Sequence, residues 1–142
     1  MRRLRCKNNE FEIDLSLRGK CTIICGDSAT GKTFVYELLQ DTEDLKDVYF
    51  INFNSVKGTE NFNAAVDYIK THRDKIIVID QADDVQDVSD EIMYAINTDY
   101  NRNTYIVIGR APKLVYRMQD VAELRMQDNK FTLNYLCPEP IF

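Results

Sequence analysis

The chain lacks any long apolar run. Its 142 residues carry apolar stretches of about five residues, far short of the roughly 20 that a membrane-crossing helix needs. The amino terminus, Met1-Arg2-Arg3-Leu4-Arg5-Cys6-Lys7, starts basic but passes into Asn8-Asn9-Glu10, without the apolar core of a secretory signal. A cytoplasmic location and no membrane partner are the expectations. Histidine is nearly missing, with His72 alone. The four cysteines, Cys6, Cys21, Cys25 and Cys137, form no C-x-x-C pair, so the ligand spacing of a zinc site is lacking. Cys21 and Cys25 lie four apart on one expected strand and share a face, as small buried thiols do. Repeats, low-complexity tracts and linkers are absent as well. What remains is one expected domain, 1–142, with a single ordinary core.

Positive charge is also in deficit. A net charge of −5 argues against a surface built as a whole for nucleic acid. The basic residues gather at Arg2, Arg3, Arg5 and Lys7, with Arg18 and Lys20 after them. Strand alternation would turn these charges outward as a solvated face. A small phosphate-binding patch is the other reading, so nucleic acid remains a partner class that the net charge does not indicate.

What the chain does have is one sharply defined motif. Gly26-Asp27-Ser28-Ala29-Thr30-Gly31-Lys32-Thr33 reads G-x-x-x-x-G-K-T, the phosphate-cradling pattern called Walker A. An apolar run, Cys21-Thr22-Ile23-Ile24-Cys25, precedes it, and a helical pattern, Phe34-Val35-Tyr36-Glu37-Leu38-Leu39, follows. Gly26 and Gly31 let the backbone approach an anion without a clashing Cβ. Successive N–H groups and the start of the helix then supply positive potential. Lys32 would neutralise charge on the β- and γ-phosphates, and the Thr33 hydroxyl would ligate Mg²⁺. Phe34 completes the segment expected to contact the nucleotide. ATP and Mg²⁺ are the ligands this predicts.

Strand and helix patterns alternate along the rest. Leu4 to Lys7 and Phe11 to Leu15 read as strands joined by a two-residue turn at Asn8-Asn9. Val48–Phe53, Lys75–Asp80 and Thr104–Gly109 read as buried strands, and Glu60–His72 as a helix with Phe62, Ala65, Val66 and Ile69 on one face. Val88–Glu91 has the composition of a helix start, and Lys113–Arg117 that of a short helical segment. Ala122–Met126 and Phe131–Leu136 flank Asp128-Asn129 as a hairpin. Such alternation implies parallel βαβ units, whose ligands bind beyond the carboxyl ends of the strands. Ile76-Ile77-Val78-Ile79-Asp80 has the form of a Walker B strand, with Asp80 placed to hold Mg²⁺ opposite Thr33. Arg110 follows a third strand end.

On these motifs the chain resembles a small P-loop NTPase of the additional-strand class, which includes ATP-binding cassette, AAA+ and RecA-like proteins. Leu17-Arg18-Gly19-Lys20-Cys21-Thr22-Ile23 is especially similar to the start of a cassette ATPase. The resemblance implies a three-layer α/β P-loop NTPase fold with a mainly parallel central sheet in the order 5-1-4-3-2, and antiparallel strands at the N- and C-terminal ends. It also implies that a Glu should follow the Walker B Asp. This chain has Gln81, which can orient a water but is a poor proton acceptor. The cassette signature and the AAA+ helical lid are both missing. Arg110 sits where the class often senses the γ-phosphate and could stabilise transition-state charge.

Three functions are consistent with this reading. The first is an Mg-ATP-binding protein with weak ATPase activity, using Lys32, Asp80, Gln81 and Arg110, whose nucleotide state controls association with itself or a larger partner. The second is a non-catalytic module that binds DNA or protein. The third is a small-molecule or nucleotide kinase, for which Arg102, Arg110 and Arg117 would be a thin set of phosphate contacts.

Overall fold

Amphipathic hairpin strands and doubly apolar strands join in one sheet. The computed structural model describes residues 2–25, 31–42, 47–52, 59–80, 94–109 and 118–137. The strands are β1 (Arg2–Lys7), β2 (Glu12–Leu17), β3 (Cys21–Ile24), β4 (Val48–Asn52), β5 (Ile76–Asp80), β6 (Thr104–Ile108), β7 (Val121–Gln127) and β8 (Lys130–Tyr135), and the helices are α1 (Lys32–Asp41) and α2 (Thr59–Thr71). Residues 94–97 are also helical, and Met118–Asp120 form a 3-10 turn. The sheet order is β1-β2-β8-β7-β3-β6-β5-β4. The expected helical segment at Lys113–Arg117 and the helix start at Val88–Glu91 lie outside the described residues. Among the described residues no helix is long and apolar enough to cross a membrane.

Every residue of β5 and β6 is buried, which is why these strands read as unbroken apolar runs. Parallel ladders link β4 to β5, β5 to β6, β6 to β3 and β3 to β7. Alternation along the strands divides their side chains between two cores. Ile23, Ile77, Ile79, Tyr105 and Val107 pack with Ala65 and Ile69 of α2. Ile24, Ile76, Val78, Ile106 and Ile108 pack with Val35, Tyr36 and Leu39 of α1. The spacing of those three α1 residues puts them on one helical face. Thr42 ends the helix in an extended conformation, its N–H donating to Leu39 O at 3.2 Å and its Oγ1 to Leu38 O at 2.7 Å.

The remaining strands form two antiparallel hairpins, β1–β2 and β7–β8. Asp128 and Asn129 turn the second with φ of 53° and 61°, the left-handed pair a two-residue hairpin turn requires. The first turn differs from the two-residue Asn8-Asn9 expectation. Four residues connect the strands, and the Asn8 Oδ1 accepts the N–H groups of Glu10 and Phe11 at 2.9 and 2.7 Å. The side chain itself supplies the turn's acceptor, so no left-handed pair is needed. A parallel contact, Glu12 with Lys130 and Ile13 with Phe131, joins the hairpins.

This architecture corrects the expected three-layer α/β P-loop NTPase fold with a mainly parallel central sheet. Among the described residues the structure is a curled mixed sheet of eight strands with few helices. The hairpins make up half of that sheet, and Leu4, Ile13, Leu15 and Leu17 share one core with α1. Arg2 measures the curl. It lies five strands from β6, about 24 Å across a flat sheet at ~4.8 Å per strand. Yet its Nη1 donates to Thr104 Oγ1 at 3.3 Å and to Lys75 O at 3.2 Å, and its Nη2 donates to Asp74 O. Only a strongly curved sheet brings these groups together. The alternation in the sequence tells which face a residue takes and is silent about curvature.

Candidate phosphate-binding site

α1 begins directly after Gly31, which holds φ 87° and ψ 13°. That left-handed conformation costs an ordinary L-residue about 1–2 kcal/mol and a glycine almost nothing. The geometry starts the helix tightly, with Val35 N–H donating to Gly31 O at 2.9 Å. Glycine supplies no side-chain cap, and the first turn holds no acid. The helix therefore presents its positive end with a cation, Lys32, at the first position. Lys32 is only 6% exposed and engages other groups of the protein. Burying an ammonium at the positive end of a helix costs desolvation and opposes the dipole, and the groups Lys32 engages offset that cost.

The sheet supplies a buried carboxylate. Ile76, Val78 and Asp80 alternate onto one face of β5, and the first two pack in the core shared with α1. Asp80 is 5% exposed. Burial pushes the Tyr36 phenol up to about 12, with the negative charge of Asp80 as the second cause. Asp80 thus lies within electrostatic reach of α1. Tyr36 is four residues beyond Lys32, one turn along the same helical face. Register agrees. Asp80 pairs with Asn52 of β4, and Ile79 with Val107 of β6, which pairs in turn with Ile23 of β3. The ends of β3, β4 and β5 therefore stand at one rim of the sheet.

The structure places Gly31 and Lys32 at the start of α1 and Asp80 at the carboxyl end of β5. Gly26, Asp27, Ser28, Ala29, Thr30, Gln81 and Arg110 lie outside the described residues. Thr33 belongs to the first turn of α1. Among the described residues, no cluster of three His, Cys, Asp or Glu side chains forms a metal cage. Phe34 is 40% exposed and meets two rings that sequence reasoning did not connect with it. Its centroid lies 4.9 Å from that of Phe11 and 5.7 Å from that of Phe131. The Cε1 atom of Phe131 lies 3.3 Å from where a Cβ on Gly31 would sit. Tyr36 and Phe131 carry no motif that would have singled them out, because their roles arise from burial beside residues distant in the chain.

No protein-family model matches this chain, and no curated protein matches it. With the curled sheet, this withdraws the membership in the P-loop NTPases that the motifs implied.

Proposed function

We propose that the segment Gly26–Thr33 binds the phosphates of a nucleotide, with ATP and Mg²⁺ as the ligand pair. The observation that supports this most is Lys32, held buried at the positive end of α1, with Asp80 buried at the end of β5. A phosphate accepted there offsets both the cationic charge and the helix dipole. The donor chemistry suits magnesium, because a carboxylate and a hydroxyl are hard oxygen ligands and phosphate oxygens supply others. Asp80 and Thr33 would hold the ion, which when bound would screen charge between adjacent phosphates. Gln81, next after Asp80, can orient a water but accepts a proton poorly, so any hydrolysis is slow. Arg110 is the candidate for offsetting charge on the transferring phosphoryl group. Nucleotide state then controls association with a second copy or a larger partner.

Thermal melting with Mg-ATP tests this. A ligand that binds only the folded state at a hundred times its Kd adds about 2.7 kcal/mol of stability. A rise in Tm is expected for the wild type and none for Lys32→Ala, with phosphate release slow. Sedimentation of the same samples reads whether nucleotide changes the assembly. An unchanged wild-type Tm with ATP, GTP and their diphosphates would overturn the assignment.

A further inference from the structure

Beside the start of α1 the structure carries a feature that phosphate binding does not use. Phe11 precedes β2, Phe34 lies in the first turn of α1, and Phe131 belongs to β8. Their three rings meet, Phe11 and Phe131 being 6.0 Å apart between centroids. Phe131 is buried and abuts Gly31, the last glycine of the loop. Phe11 is half-buried, whereas Phe34 leaves 40% of its surface exposed. Met126 pairs with Phe131 across the β7–β8 ladder and is 58% exposed. Packing accounts for the buried ring but leaves the outward surface of Phe34 unused. An anion-binding helix start next to an open aromatic surface fits a ligand with phosphates at one end and a flat ring system at the other.

We propose that Phe34, backed by Phe11 and Phe131, is the shelf on which the base of the bound nucleotide stacks. Aromatic rings stack on any base, so the shelf favours nucleotides over inorganic or sugar phosphates without choosing among bases. This rests on the phosphate-binding reading, and the test separates the two. The probes are ATP and inorganic tripolyphosphate, titrated against the whole chain. Wild type binds ATP about five- to 150-fold more tightly than tripolyphosphate, the ratio that stacking energies of about 1–3 kcal/mol per base give. Phe34→Ala loses that advantage and keeps its tripolyphosphate affinity, whereas Lys32→Ala loses both ligands. Because the chain contains no tryptophan but eight tyrosines, Phe34→Trp adds a single indole, excited selectively to the red of the tyrosine absorption, that preserves a large ring. ATP quenches its fluorescence and tripolyphosphate does not. Equal wild-type affinity for the two probes, or an unquenched Phe34→Trp under saturating ATP, overturns the shelf and leaves phosphate binding standing. Failure of tripolyphosphate and ATP alike to bind the wild type overturns both.

Discussion

Gly31 carries two constraints at once. Its φ of 87° is one that residues with a Cβ adopt at a cost, and Phe131 occupies the space beside it at 3.3 Å from the Cβ position. Alanine is the best helix former, but its advantage applies to helical backbone and not to this left-handed residue. Gly31→Ala should therefore lose about 1–2 kcal/mol, read as a lower urea midpoint with an unchanged slope. Adding Phe131→Leu should restore only the part due to crowding, because the backbone strain persists. The glycine was legible in the sequence as a loop residue. Its neighbour was not, since Phe131 reaches it through the sheet and no local pattern records that contact.

At the level of elements, Asp14 ties strands β1, β2 and β8 together on the outer face of the sheet. It is buried on β2, directly opposite Arg5 in the antiparallel register. Its Oδ2 lies 2.5 Å from Arg3 Nη2, 3.9 Å from Arg5 Nε and 3.7 Å from Lys130 Nζ. The hydrogen bond from Arg3 is the largest cause holding its carboxyl below the usual carboxylate range, and the three positive charges add to it against the opposing cost of burial. A carboxyl depressed in the folded state stabilises fully above its unfolded value, and that contribution fades as pH falls through the folded one. The Tm gap between wild type and Asp14→Asn should hold from neutral pH to about pH 5 and close below about pH 4. A gap constant down to pH 2 would assign the loss to shape alone. The basic cluster near the amino terminus was readable as an outward strand face, and Arg3 and Arg5 take that role. The alternation of β2, the buried runs of β5 and β6, and the Asp128-Asn129 turn were equally readable, because each is encoded within a few residues. The cross-strand anchor was not, because it depends on which strands become neighbours.

For the molecule as a whole, Arg2 bridges the curl of the sheet. It belongs to the basic cluster, yet alternation sends it inward with Leu4 while Arg3 and Arg5 face out. Its hydrogen bonds to Asp74, Lys75 and Thr104 fasten β1 to the starts of β5 and β6. Hydrogen bonds from a charged donor contribute about 1.5–3 kcal/mol when buried, and exposure on one side reduces this. Arg2→Met, which keeps the apolar stem, should cost about 1–2 kcal/mol on that basis. Amide exchange should quicken along β1 ahead of β5 and β6, and uniform acceleration would contradict a local fastening. The parallel ladder between β2 and β8 carries a different consequence. Glu12 and Ile13 find their partners at Lys130 and Phe131, so closing this contact spans most of the chain and forms slowly. During synthesis on the ribosome, the hairpin β1–β2 can form early, but one edge of β2 has no partner until β8 has emerged. Throughout that interval the nascent chain exposes an apolar strand edge, the window in which a chaperone has something to hold.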